Sequence, residues 1–529
     1  MHFGVDRHEF LNLPCAGELT ACSELECALC YRSSRNKGRS QRPTRNIEGR
    51  LRSNFTNVSP LFICTLTVTT LLFSNVLGFN SAAASAAFVP SKVFVTPIAS
   101  RSSAAQTGSA LRSAVTSVPP TQRKLTTAQR IAQLEASTRT NPKAAEQWRE
   151  LGAAYVRRAF ETADPAFYPL AESSLRSAEK LIGATPEIMV AKASLALARH
   201  RFAEARDLAG NVVRAQPEAL AGRIAQFDAE VELGNYDLAF RSIDALVSQR
   251  PNVATLSRLS YRHQLSGDLL AAEIAMRQAV SAAPPDSIDR AVALGYLGDV
   301  LLERGRLDAA SRSYEQSSRL DPANGTAVLG QARVLFARGD PNAAVSLLDR
   351  LIDRNPLPGA LGLRADIARS LNNKKLAKAS DELVDASIAL FQANGSVVDA
   401  ELAILLADRG PTSASAAIGA ARRAYAERRT VFTNDAMAWS LFVAGRASEA
   451  LPYARAAVAM APGISSVRWH AAEVFAATGD RVSAQTELAA AMRNPWSTPA
   501  QANALRSLAS RVGSLHHNSI TRLTEVSNV

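Results

Sequence analysis

The sequence predicts an all-α fold, a right-handed α-solenoid of helix-turn-helix repeats. Two observations support it. Alanine and leucine dominate from about Leu125 onward while aromatic residues make up only 6% of the chain, a composition that favours helices over sheets. Glycines that interrupt apolar helical patterns recur 34 residues apart, at Gly305 and Gly339 and again at Gly445 and Gly479. A fixed period of this length predicts stacked units, each burying the face that its neighbour leaves open.

Residues 1–60 are predicted to be a basic, cysteine-containing leader that is disordered or not translated. Residues 1–124 hold 14 Lys and Arg against 6 Asp and Glu, whereas the other 405 residues hold 46 against 42. The basic character therefore belongs mainly to the leader, and electrostatic binding of nucleic acid by the body is not expected. All five cysteines lie in the first 64 residues, so the body is predicted to fold without disulfides.

Residues 61–87 are predicted to be a signal peptide or a membrane anchor. The run from Leu61 to Phe79 has 19 uncharged residues, follows several arginines and precedes a stretch of small residues that ends at Ala87. This order is typical of a cleaved secretory signal, which would make the protein bacterial-type and secreted, periplasmic or part of the cell envelope. A single-pass anchor through 61–79 and an organelle transit peptide are the alternatives. Residues 88–125 are rich in Ser, Thr, Ala and Pro and are predicted to be a linker.

Residues 126–497 are predicted to contain about ten repeats, and the stretch from 294 to 322 shows the unit. Leu294, Leu297 and Leu301 recur at helical spacing and form one apolar stripe. Gly305 ends the first helix, and Pro322 follows the second. Each unit is therefore predicted to be a pair of antiparallel helices.

Small residues are predicted to lie where the two helices of a unit approach each other. Closely crossing helices need a site with almost no side chain, and Gly298 and Ala310 occupy such positions while Tyr314 fills the space around them. The predicted structural positions of the repeats are Gly152, Gly298, Gly305, Ala310, Gly339, Ala450 and Gly479.

The unit resembles the tetratricopeptide repeat, whose pattern is W-x2-L-G-x2-Y, then A-x3-F and a closing P. Trp148, Leu151, Gly152 and Tyr155 match the first half of that pattern. The resemblance implies a superhelix of helix pairs. Residues 498–515 are then predicted to be a capping helix that covers the last open face, and residues 516–529 a tail.

The resemblance implies a binding function. No common phosphate, nucleotide, nucleophile or zinc motif occurs in the sequence, so we expect no enzyme activity, no catalytic residue, no metal and no cofactor. The predicted function is a scaffold or adaptor that holds a protein or peptide in the concave groove of the solenoid. The alternatives are an RNA-binding helical-repeat protein and an accessory subunit of a secretion or envelope assembly.

Groove-lining residues are predicted by turning each first helix away from its apolar stripe. Three of them are aromatic and lie near the carboxyl end, where they form either an anchor patch for a partner or ordinary packing between successive helices. The candidates are Arg149, Tyr261, Asp299, Arg333, Arg364, Trp439, Phe442 and Trp469.

Overall fold

A computed structural model describes residues 125–460, 462–493 and 499–513, and this part of the chain is helical and contains no strand. The leader, the segment 61–87, nearly all of the linker and the tail lie outside these residues. The helices are α1 Thr127–Thr140, α2 Ala145–Thr162, α3 Phe167–Ile182, α4 Pro186–Ala198, α5 Phe202–Ala215, α6 Leu220–Leu233, α7 Tyr236–Gln249, α8 Val253–Leu265, α9 Leu269–Ala282, α10 Ile288–Glu303, α11 Leu307–Leu320, α12 Gly325–Ala337, α13 Pro341–Ile352, α14 Pro358–Ser370, α15 Lys374–Ala393, α16 Asp399–Asp408, α17 Ala414–Glu427, α18 Val431–Val443, α19 Ala447–Val458, α20 Ser465–Ala477, α21 Arg481–Arg493 and α22 Pro499–Val512.

Local sequence sets where these helices begin. Thr126 and Gln129 form a capping box at the start of α1, and Asn252 and Thr255 do the same for α8. Each cap satisfies backbone N–H groups that have no partner inside the helix. Within the described residues no helix is both long enough and apolar enough to cross a bilayer.

From α2 to α21 the helices pack as successive pairs, α2 with α3, α4 with α5, and so on to α20 with α21. Each pair also packs on the next, and α22 packs on α21 and α20. Between α14–α15 and α16–α17 the packing is made by Leu402 and Leu405 of α16. The predicted all-α solenoid is confirmed. The core runs along the array, because every pair shares its apolar face with its neighbours.

The ring of Tyr314 explains why α10 and α12 each carry a glycine. A Cβ atom on Gly298 or on Gly330 would overlap this ring, which is fully buried between the two helices. In the first pair, a Cβ atom on Gly152 would likewise lie 2.6 Å from Cγ of Leu175. At these positions glycine makes room for a large side chain of the second helix, Tyr314 or Leu175. The prediction that it allows two helix axes to cross closely was therefore less important than this side-chain packing.

The turn inside a pair commonly uses a residue with positive φ. Gly305 has φ of 68° and Gly339 has φ of 83°, a region that glycine enters without steric cost. His200 and Asn372 end α4 and α14 with φ of 58° and 55°. His200 is held in this strained conformation by contacts with a distant part of the chain.

Helix pairs far apart in sequence also meet, which we call the interturn contacts. In each contact, the carboxyl end of the first helix of one pair, or the turn after it, touches the segment that precedes the pair six positions further along the chain. Six pairs therefore complete one superhelical turn. These contacts include Asn355 Nδ2 to Glu161 O at 3.0 Å, Arg201 Nε to Gly395 O at 3.1 Å, Arg428 Nη1 to Glu232 Oε2 at 2.6 Å and Gly463 N to Gln264 O at 2.9 Å.

Candidate functional site: the interturn cavity

A cavity of about 200 Å³, here called the interturn cavity, opens where the first superhelical turn meets the second. Its wall combines the end of α2, the starts of α10, α12 and α14, and the segment that joins α15 to α16. The lining is mainly apolar. The aliphatic and aromatic side chains in it include Val156, Phe160, Tyr168, Ile288, Val292, Tyr296, Leu329, Leu357, Ile388, Phe391, Val398 and Leu405.

Three buried polar side chains interrupt this apolar wall. Asn355 is 6% exposed, Ser396 7% and Glu401 9%. Asn355 Oδ1, Ser396 Oγ and Glu401 Oε2 have no hydrogen-bond partner among the described residues. Because a buried polar atom without a partner is destabilising by about 1–3 kcal/mol, three at one cavity make it a candidate site for a ligand with hydrogen-bond donors.

The cavity is also acidic. Among its described lining residues are the carboxylates Glu161, Asp321 and Glu401 but only one guanidinium, Arg157. Arg157 pairs with Glu161 at 3.0 Å. Burial raises the pKa of Asp321 above its ordinary value, so this carboxylate would gain from a cation placed beside it.

His200 lines the cavity and also makes one of the interturn contacts. Its Nδ1 donates to the carbonyl oxygen of Val397 at 3.0 Å and lies 3.8 Å from Glu401 Oε1. Burial lowers the pKa of His200, and the carboxylate of Glu401 opposes that shift. The ring is therefore neutral near pH 7 and does not cancel the negative charge of the cavity.

The predicted aromatic patch lies inside the helical array. Trp439 is 2% exposed and Trp469 1%, with their rings 5.4 Å apart, and Phe442 is half-buried and stacked on Trp439. Trp439 Nε1 donates to Asp408 Oδ1 at 2.9 Å. The structure thus brings the three residues together, but as the packing between successive helices that the sequence also allowed. Contact with a partner stays a prediction.

The predicted polar groove residues are mostly buried too. Tyr261, Arg333, Asp299 and Arg364 are between 1% and 9% exposed. Arg333 lies 3.9 Å from Asp299, and Arg364 Nη1 donates to Asp349 Oδ1 at 2.9 Å. Arg149 is partly exposed and pairs with Glu146 on its own helix. None of the eight candidates lines the interturn cavity.

These side chains are covered because successive first helices pack against each other. Polar pairs cross that interface, among them Arg258 with Asp228 at 2.6 Å and His470 with Asp435 at 2.8 Å. Residues of such pairs lie 30 to 35 positions apart, close to one repeat. A polar residue and its opposite charge about one repeat apart were therefore the signal in the sequence that these side chains pair across the helix interface. The residues of the interturn cavity had no comparable signal, since they come from pairs that are distant in sequence.

Comparison with known proteins supports the repeat assignment in the middle of the chain. Residues 301–367 match the family described as tetratricopeptide repeat, and this segment contains α11, α12 and α13 completely. This segment is therefore similar to tetratricopeptide repeats. That the other pairs are also tetratricopeptide repeats stays a prediction. No curated protein matches the chain.

Three solved structures are similar to parts of the chain. A tetratricopeptide repeat protein from Parabacteroides merdae has 17% identity and a TM-score of 0.29, and the match covers 51% of this chain and 99% of that one. PilW, a type IV pilus biogenesis factor, has 15% identity and a TM-score of 0.33, with 39% and 97% covered. The APC/C hetero-tetramer Cut9-Hcn1 has 13% identity and a TM-score of 0.28, with 72% and 90% covered. No binding partner follows from these values.

Proposed function

We propose that the protein is a non-catalytic interaction scaffold that holds a peptide segment of a partner in the interturn cavity of the solenoid. The observation that carries the proposal is the interturn cavity, an apolar site with three buried polar atoms that lack partners. Tetratricopeptide repeats generally bind proteins, which supports a peptide as the occupant. A volume of about 200 Å³ suits one large side chain.

Selection of peptides from a random display library against the full chain tests this function. We expect enriched peptides that combine a large apolar residue with a basic residue, because the cavity is apolar and acidic. Leu329→Trp, which fills the cavity, should weaken the best peptide at least tenfold in fluorescence anisotropy. Val482→Trp, at a position 75% exposed on α21, is the matched control and should leave binding unchanged.

The alternative functions predict different results with the same purified protein. An RNA-binding repeat would bind a labelled oligouridylate with an affinity that falls steeply with salt, whereas the near-balanced body predicts no such binding. Enrichment of unrelated peptides, equal binding by the filled variant, or co-purifying partners that disappear with nuclease would each contradict the proposal.

We also propose that the segment 61–87 directs export. The support is the order of its residues, an uncharged run followed by small residues. Intact mass of the protein from its native host tests it, with a mature chain expected to begin near Ala87. An uncut amino terminus in the membrane fraction would favour the anchor, and location inside an organelle the transit peptide.

A further inference from the structure

We propose that residues 88–124 of the chain itself dock in the interturn cavity, with Leu111 and Arg112 as the anchor. Docking in cis is separate from the proposed function. Only its consequence, competition with a partner peptide, rests on that function.

The charge of the segment complements that of the cavity. Residues 88–124 contain three arginines and two lysines and neither Asp nor Glu. The described lining of the cavity holds three carboxylates against one guanidinium, and Arg157 is already paired with Glu161. Arg428 Nη2 lies 3.9 Å from Glu401 Oε1. Asp321 is therefore the lining carboxylate that has no ion-pair partner among the described residues and that faces a further cation.

The first described helix of the chain also begins beside the interturn cavity. Thr127, at the start of α1, donates from Oγ1 to Glu161 Oε1 at 2.6 Å, and Glu161 lines the cavity. The described part of the chain therefore begins beside the rim of the cavity. Leu111 lies 14 residues before Leu125, a separation that spans at most about 50 Å when extended.

The anchor is identified by the chemistry of the wall. Phe160, Leu329 and Phe391 favour an apolar side chain, and the unpartnered oxygens of Asn355 and Glu401 favour N–H donors. Leu111 followed by Arg112 supplies both groups with a short separation from Leu125. A short tether gives a high effective concentration, so even weak contacts suffice for occupancy.

Photocrosslinking in the full chain tests the docking. A benzoylphenylalanine at Ser113 places the reactive group next to the anchor, and mass spectrometry identifies the peptides that it joins. We expect crosslinks to α2, α12 and the segment between α15 and α16. Arg112→Glu should reduce them at least tenfold without affecting the helices, and Leu329→Trp should do the same by filling the cavity. Arg101→Glu, farther from α1, is the matched control and should change them little.

Two results would overturn the docking: crosslinks that reach mainly peptides outside the cavity, and crosslinks of equal yield in all variants. The outcome is independent of partner binding. Because a docked segment would also block peptide selection in the parent chain, the selection is repeated with Arg112→Glu, in which the segment is released. Cavity crosslinks in the parent without any peptide selected by Arg112→Glu would retain the docking and refute the scaffold, and selected peptides without cavity crosslinks would do the reverse. If both hold, Arg112→Glu should tighten the binding of a selected peptide several-fold, because the competing segment is released.

Discussion

The guanidinium of Arg428 donates to the carboxylate of Glu232 at 2.6 Å although the two residues are 196 positions apart. Arg428 is 9% exposed and Glu232 3%, and the guanidinium also lies over the ring of Phe202 with its Cζ 4.6 Å from the ring centre. One buried ion pair therefore joins the carboxyl end of α6 to the segment before α18. It is the most buried side-chain pair among the interturn contacts.

Removal of one partner of this pair should be strongly destabilising. We expect Arg428→Met to lower the free energy of unfolding by about 3–5 kcal/mol at pH 8, because Glu232 would remain buried without a cation. Arg428→Met combined with Glu232→Leu should recover most of that loss. Urea denaturation followed by circular dichroism measures both, and a double variant as unstable as the single one would contradict the assignment.

The same pair should make stability depend on pH. Burial raises the pKa of Glu232 to about 7, against 4.5 in the unfolded chain, and Arg428 opposes that shift. Between these values the folded state binds more protons than the unfolded state, so this contribution is complete below pH 4.5 and is lost as the pH rises through 7. We expect the urea midpoint to fall less steeply from pH 5 to 8 in Glu232→Gln than in the parent, and equal slopes would contradict the prediction.

The glycines around Tyr314 should be intolerant of larger residues. Gly298→Leu would place its side chain in the ring and should destabilise the protein by about 1–3 kcal/mol, and Gly330→Leu should behave alike. Gly295→Ala is the control on the same helix, since its Cβ would make only ordinary contacts at 3.5 Å or more. It should stabilise the protein by roughly 0.5–1 kcal/mol. Unchanged denaturation midpoints for the two leucine variants would refute this packing.

Trp439 should affect stability more than binding. Trp439→Phe keeps the stacked ring but removes the N–H that Asp408 accepts, leaving a buried carboxylate with one partner fewer. We expect a loss of about 1–3 kcal/mol in the free energy of unfolding. The affinity for a selected peptide should stay unchanged while the protein is folded. Weaker binding at unchanged stability would instead indicate that Trp439 contacts the bound peptide.

The sequence predicted features that depend on neighbouring residues. Leu294, Leu297 and Leu301 indicated the buried stripe of α10, and the period of Gly305 and Gly339 indicated the solenoid, because helical spacing and chain reversal are local properties. These predictions needed only distances along the chain, not the path of the superhelix.

Burial of the polar groove candidates could not be predicted in the same way. A charged residue such as Arg333 looks solvent-exposed on an isolated helix, and only the packing of the next first helix covers it. Likewise, Asn355 and Glu401 become neighbours of α2 only after six pairs have turned through a full circle. That rotation accumulates from small angles between pairs, which residue spacing does not specify.

The interturn contacts change how such an array should come apart. A linear stack is coupled only between nearest neighbours and can fray from its ends one unit at a time. Here α2 to α9 also depend on segments from Asn355 to Gly463, so loss of the carboxyl-terminal pairs removes partners from the amino-terminal ones. Truncation directly after α15 should therefore weaken α4 to α9 as well. Nascent chains should complete their cooperative unit only once the last pairs have left the ribosome.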